Sequence, residues 1–335
     1  MTNKFVWFCL LVCVGFSACE TDFTLEGEWR DIPVVYGFIS LQDTAHYIRV
    51  EKAFLEPGGN AEDVAQIADS LYYENATVQL IKENGQAFTL ERVDGNLEGY
   101  QRQDGPFATA PNFLYKIKKE VINLEGGETI QLLVNRGDDL PPVTAETIVI
   151  SDIIPNENSP ASPMNWEYNR FVTTAWNVTS EARIFDVRYI FNYRENSADA
   201  PTVFEERSVE WVVVNELLRE DEPTTTRVSI SPQGESFYRF LGANIPPAEN
   251  QVRLLSGVDI LISGGGEELV EQIEILRVNS GITSSQVIPT YTNLSEGFGL
   301  FTSRVSVLRT NLQLNAVSAD SLRNGIYTKD LNFVQ

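Results

Sequence analysis

Few residues in this 335-residue chain are equipped for chemistry at neutral pH. His46 is the single histidine, and histidine is the side chain most used as general base or metal ligand near pH 7. In the run His46 to Val50 it alternates onto one face with Ile48 and Val50, which reads as a half-buried strand position. A Ser-His-Asp triad would have to use His46, yet no G-x-S-x-G elbow occurs to present a nucleophile. The three cysteines, Cys9, Cys13 and Cys19, all lie in the first nineteen residues. The rest of the chain therefore has neither thiol catalysis nor a Cys/His zinc site available to it. Ser263-Gly264-Gly265-Gly266-Glu267 is glycine-rich, but it lacks the Gly-Lys-Ser/Thr of a phosphate loop and places Glu267 and Glu268 where phosphate would lie. It is expected to be a hairpin loop, and no cofactor is expected.

Carboxylates and aromatic rings remain. With 47 acidic against 25 basic side chains the formal charge is -22, which argues against nucleic acid as a partner, since that binding needs a basic face to release counterions. Two carboxylates at the right separation suffice for a glycosidase-like hydrolase, the alternative function, but no local motif selects a pair, and the primary reading is non-enzymatic. Calcium tolerates loop carboxylates, and Asp138-Asp139 and Asp221-Glu222 cluster, but neither has EF-hand spacing, so no metal site is assigned. The rings Trp166, Tyr168 and Trp176 are the candidate ligand-binding residues, with Tyr72, Tyr73, Tyr100 and Phe107 near long connections of the first half. Stacking rings suit a sugar or peptide; the competing reading is that they fill cores.

The amino terminus has its own chemistry. Lys4, the apolar stretch Phe5 to Gly15 and the small pair Ser17-Ala18 before Cys19 have the order of a secretory signal. The apolar run is too short for a membrane-spanning helix, which needs about 20 residues. Phe16-Ser17-Ala18-Cys19 resembles a bacterial lipobox, in which cleavage after Ala18 leaves a diacylated Cys19 as the first residue. That modification would anchor the chain to a membrane, each buried methylene adding about 0.8 kcal/mol.

The elements that must position everything else are strands. Ile184 to Arg194 alternates Phe185, Val187, Tyr189, Phe191 and Tyr193 against Asp186, Arg188, Asn192 and Arg194, a long antiparallel strand. Val34–Ile39, His46–Val50, Thr77–Lys82, Thr129–Val134, Val209–Val214, Val258–Ile262 and Arg304–Leu308 read similarly, with turn chemistry such as Asn84-Gly85 and Gly126-Gly127 between strands. One short helix is expected over Ala61 to Tyr73, capped by Asn60; Glu267 to Val278 is ambiguous, and Ser236 to Leu241 offers another turn or two. Pro155, Pro160 and Pro163 among Ser and Asn mark a boundary. The expected order is a signal peptide 1–18, a lipidated tether 19–30, a sandwich 31–150, a linker 151–163 and a second β-rich domain 164–335. The fold class is all-β in the main, opening on an immunoglobulin-like or transthyretin-like sandwich, with one or two short helices.

Pro33-Val34-Val35-Tyr36-Gly37 and the segment Pro289-Thr290-Tyr291-Thr292-Asn293-Leu294-Ser295-Glu296-Gly297-Phe298-Gly299-Leu300-Phe301, together with the lipobox, resemble a family of Bacteroidota outer-membrane lipoproteins of unassigned function. Members are commonly encoded beside TonB-dependent receptors. The resemblance implies an outer-membrane, lipid-anchored protein, facing the cell surface or, as the alternative, the periplasm, that serves as a binding or accessory component of such a receptor or another envelope complex. Glu20 and Asp22, just behind Cys19, are similar to the acidic signal that directs such lipoproteins outward. The family offers no catalytic or binding residues to carry over.

Overall fold

The computed structural model describes residues 32–53, 61–137, 139–179, 181–197, 200–219, 226–280 and 290–334. Strands hold 45% of the residues and helices 17%, so the fold is mainly β, as the alternation predicts.

The backbone of the molecule is one eight-stranded sheet. Its strands, in spatial order, are β12 (Ala200–Leu218), β11 (Ile184–Ser197), β14 (Arg253–Gly265), β15 (Phe298–Leu312), β1 (Ile32–Ile39), β2 (Ala45–Ala53), β6 (Phe113–Lys118) and β5 (Glu91–Asp94). A four-stranded sheet, β4 (Ala87–Thr89), β3 (Thr77–Lys82), β7 (Thr129–Asn135) and β8 (Val143–Ile148), packs on the β1-β2-β6 end. Val35, Ile39, Ile48 and Val50 from one side meet Val78, Leu80, Ile130 and Leu132 from the other, all buried. The hairpin between β3 and β4 turns at Asn84-Gly85, where Gly85 takes φ 82°, as the turn chemistry predicts.

A second core lies over the other end of the same sheet. Phe185, Val187, Tyr189, Phe191 and Tyr193 of β11 are all buried on one face, as their alternation requires. They are covered by helix α4 (Gly234–Asn244), helix α6 (Ala316–Asn324) and a small sheet of β13 (Arg227–Ile230), β10 (Thr174–Asn177) and β9 (Ile154–Pro155). Helix α4 forms because Phe237, Tyr238 and Leu241 line one stripe of it, and a Cβ at Gly234 would strike the Glu167 carbonyl at 2.1 Å, so the helix start lies close against that loop.

Strand β15 joins the two cores. Its first half runs parallel to β1, pairing Val34 with Phe298 through Ile39 with Ser303; its second half runs antiparallel to β14. The two segments that carry the family resemblance are thus hydrogen-bonded partners. Gly299 has φ 127°, and a Cβ there would lie 1.8 Å from the Val35 carbonyl oxygen, so only glycine permits the approach. Asn293 fastens the turn before β15: its Nδ2 donates to the carbonyls of Phe301 and Glu146 at 2.7 and 3.0 Å, and its Oδ1 accepts from Phe301 N at 3.0 Å. Leu294 and Phe301 complete the first core, whereas Val305 and Leu312 enter the second. The cores therefore do not divide the chain at 151–163, because the sandwich takes a strand from its far end. Nor is that segment a bare linker: Ile153 is buried in the second core, and Arg309 donates to the carbonyls of Asn156, Glu157 and Pro160.

The helical content departs from expectation. Six α-helices occur among the described residues, where one or two were expected. Over 61–73 the single expected helix is two, α1 (Ala61–Ala65) and α2 (Ala68–Leu71), broken because Ile67 is extended at φ -96°, ψ 108°; Asn60 lies outside the described residues. The remaining short helix, α3 (Lys119–Ile122), follows β6. The glycine run 263–266 is not a hairpin loop: Gly264 and Gly265 end β14 and lead directly into α5 (Glu267–Ser280). A Cβ at Gly265 would meet Leu269 Cδ2 at 2.5 Å, and one at Gly264 would meet Phe185 at 2.9 Å, so the glycines serve close packing at this junction.

Candidate functional site

Both cores lie on the same face of the large sheet, which leaves its other face to be explained. Strand parity decides what is there. On β1, Val35, Gly37 and Ile39 point into the core, so Tyr36 and Phe38 must point out, and they are 41% and 39% exposed. On β2, His46, Ile48 and Val50 point in, so Tyr47, Arg49 and Glu51 share the outward face. Cross-strand register sets Tyr36 opposite Arg49 on one side and Leu300 on the other, and Tyr47 opposite Lys116.

Tyr36, Phe38, Tyr47 and Arg49 line a depression of ≈ 260 Å³ with Asp43, Tyr100 and Arg304 on its walls. Tyr47 and Tyr100 meet with ring centroids 4.7 Å apart and planes tilted by 57°, forming an aromatic corner, and Tyr100 is 53% exposed. The corner is fixed from beneath. Tyr47 Oη donates to Glu98 Oε2 at 2.9 Å, Lys116 Nζ bonds the same oxygen, and buried Asn112 donates from Nδ2 to the Tyr100 carbonyl at 2.7 Å. The bond from Lys116, then that from Tyr47, draws the Glu98 carboxyl below its ordinary value, and the Lys116 ammonium is raised in return by the same contact. Partial burial, then the bond to Glu98, raises the Tyr47 phenol.

Two further depressions extend the face. One of ≈ 280 Å³ shares Phe38 and Arg304 with the first and reaches under α5 to Leu269 and Ile273. The other, ≈ 390 Å³, lies beyond Glu51 and is walled by Val34, Leu71, Glu62 and Phe107. Glu51 stands between: Arg49 Nη1 and Arg102 Nη1 both donate to its Oε1 at 2.8 Å, and Arg102 Nη2 reaches its Oε2 at 3.3 Å. Asp43 is held likewise, with Arg304 Nη2 2.8 Å from both of its oxygens.

The residues singled out in the sequence fall elsewhere. Cys19, its cleavage neighbour Ala18 and the tether lie outside the described residues. Trp166 and Trp176 are fully buried, so they are core residues and not a ligand surface. Trp166 packs on Phe237 and Tyr189 with centroids 4.6 and 5.5 Å apart, and Trp176 packs on Phe185 at 5.4 Å. Tyr168, half-buried, leans edge-on against Tyr238 and Tyr327. Residues 164–173 have no strand period to reveal their inward side, which is why rings that fill a core resemble rings that await a ligand. Among the described residues, no three His, Cys, Asp or Glu side chains converge as a metal site; Asp138, Asp221 and Glu222 lie outside them.

His46 is buried in the sandwich core with neither ring nitrogen hydrogen-bonded. Burial lowers its pKa, against the pull of Asp43, so the ring is neutral and has no partner with which to relay a proton. Glu268, in the first turn of α5, whose pKa burial raises, accepts from Thr302 Oγ1 at 2.8 Å and lines none of the three depressions. The outward rings Tyr36, Phe38 and Tyr47 escaped the sequence reading, although a signal was present: they occupy the parity opposite to Val35, Ile39, Ile48 and Val50, where solvent-facing positions normally carry polar side chains.

No family model matches the chain, and no curated relative does. Among solved structures, the C-terminal globular domain of an oligosaccharyltransferase from Pyrococcus abyssi is similar at 12% identity with a TM-score of 0.25, over 68% of this chain and 44% of that one. The matched region is less than half of that structure, and at this score the likeness carries no argument about site or activity.

Proposed function

We propose that this is a lipid-anchored envelope protein, acylated at Cys19 and held at the outer membrane facing the cell surface, that uses its outward sheet face to bind a ligand or a TonB-dependent receptor. The supporting observation is that face: exposed rings, braced from below, on strands whose opposite side already supplies the core. A tethered binder works at high local concentration, so a weak contact suffices. The acylation part rests on the order of chemistry in residues 1–19.

Nothing in the carboxylates beside the rings favours a hydrolase. Asp43, Glu51 and Glu98 are each engaged by arginine or lysine, and a glycosidase needs one acid free to give a proton and another free to attack or to activate water. The test is fractionation with metabolic lipid labelling. Wild type is expected to carry label and sediment with outer membranes, and Cys19→Ala to lose both; a Cys19→Ala protein that stays in the outer membrane overturns the anchor. Affinity purification from detergent-extracted outer membranes tests the partner, with a receptor expected to be retained by wild type and lost with Tyr36→Ala/Phe38→Ala.

A further inference from the structure

The depression at Tyr36, Phe38, Tyr47 and Tyr100 has a chemistry narrower than "binding surface". Its ionic groups are all spent on one another: Asp43 on Arg304, Glu51 on Arg49 and Arg102, Glu98 on Lys116. An anionic ligand would have to displace one of these carboxylates from its partner and approach a chain of formal charge -22. A cationic ligand finds no unpaired carboxylate among them. What remains open is neutral: ring faces, the Tyr36 hydroxyl, and the donors of Arg304 beyond the Nη2 that Asp43 takes.

From these features we infer that the outward face binds a neutral oligosaccharide, with a sugar ring stacked in the Tyr47–Tyr100 corner and its hydroxyls bonded by Arg304 and the Tyr36 hydroxyl. Sugars present an apolar C–H face and a rim of hydroxyls, which is the pattern of rings ringed by fixed polar groups here. The bracing by Glu98 and Asn112 holds the corner in place before binding, so little side-chain entropy is lost when the ligand arrives. Volume points to a chain and not a single bulky ligand. Depressions of ≈ 260 and ≈ 280 Å³ that share Phe38 and Arg304 are each small beside the ~300–1,000 Å³ of ligand pockets. Successive rings of an oligosaccharide would occupy them in turn.

The inference rests on reading the outward face as a binding surface, and it is independent of the anchor. Its test is calorimetric titration of the folded protein with maltohexaose, cellohexaose, xylohexaose and mannohexaose, alongside a hexagalacturonate as the charged control. At least one neutral chain is expected to bind with an affinity indifferent to salt, because no counterions are released, and to lose about tenfold or more in Tyr100→Ala and in Tyr36→Ala. Trp166→Phe, a core change, is the control expected to leave affinity unaltered while lowering the melting temperature. Failure of all four neutral chains overturns the inference, as does tighter, salt-sensitive binding of the hexagalacturonate, or binding indifferent to Tyr36 and Tyr100. If no sugar binds but a receptor is still lost from Tyr36→Ala/Phe38→Ala, the sugar fails and the binding surface stands; if neither is seen, both fail.

Discussion

The two ends of the large sheet use aromatic residues in opposite ways. Over β11 and β14 the rings are inside: Trp166, Trp176, Tyr189, Phe191 and Phe237 fill the space between the sheet and its cover of helices and short strands. Over β1 and β2 the interior is mostly aliphatic, and Tyr36, Phe38, Tyr47 and Tyr100 lie on the far side of the same strands. Layer geometry accounts for the interiors. Two sheets packed about 10 Å apart interdigitate Val, Ile and Leu, whereas the mixed cover of helices and short strands over β11 and β14 is filled by rings packed edge to face. It does not account for the outward rings Tyr36, Phe38 and Tyr100, which stay 41%, 39% and 53% exposed and belong to neither core.

The largest effect is expected at Trp166. If its ring is core, Trp166→Ala should cost about 3–5 kcal/mol, read as a lower denaturant midpoint, because a fully buried indole leaves a cavity lined by Phe237, Tyr189 and Trp211. A variant as stable as wild type would mean that the ring is not packed as described. Next comes the strand that belongs to both ends. Gly299→Ala forces a Cβ onto the Val35 carbonyl at a positive φ, and a loss of roughly 2–4 kcal/mol is expected from strain and overpacking together. Because β15 closes both cores, unfolding should remain one transition; a Gly299→Ala protein that melts in two steps would show that the ends are energetically separate.

His46 gives a smaller, pH-dependent effect confined to the aliphatic end. Burial holds its folded pKa below the ordinary 6.5, with Asp43 raising it and Lys119 and Arg304 lowering it further. The unfolded chain therefore binds the proton more readily. The neutral ring's stability is full above about pH 6.5 and is lost as pH falls from there through the folded pKa, by about 1.4 kcal/mol for each unit of depression. His46→Leu should flatten that part of the melting-temperature profile relative to wild type. Equal slopes in the two proteins would mean that the ring is not buried neutral.

How much of this was legible in the sequence follows from which physical signal each feature leaves. Period two exposed β11 because four core rings and Val187 alternate with mostly charged and polar residues, and Asn84-Gly85 announced its hairpin through the φ that only such residues take readily. The partnership of β1 with β15 left no local trace, since nothing in a strand names a neighbour 264 positions away (Ile39 and Ser303). Helix α6 was missed although Asn315 caps it, its Oδ1 accepting from Ser318 N at 2.9 Å, because Val317 and Leu322 alone make a faint stripe. The candidate site was half legible. Tyr100 stood out on a connection, but Tyr36 and Tyr47 sat inside strands, where rings raise β propensity and so pass as structural.

The smallest effect on stability is expected at the outward rings of β1. Phe38 and Tyr36 are exposed on a face whose strand is held by its other side, through Val35, Gly37 and Ile39, and by backbone pairing to both β2 and β15. Replacing either with Ser removes ring area that is already partly in water and breaks none of the braces, since Glu98, Lys116 and Asn112 act on Tyr47 and Tyr100. The expected change is therefore within about 0.5 kcal/mol, measured by chemical denaturation. A loss of 2 kcal/mol or more, on the order of a buried ring's contribution, would place these side chains in the structural account and remove the reason for a binding face. A neutral outcome, set beside the large cost at Trp166, would leave aromatic residues at two ends of one sheet with opposite energetic roles: one set retained for folding, the other for what it touches.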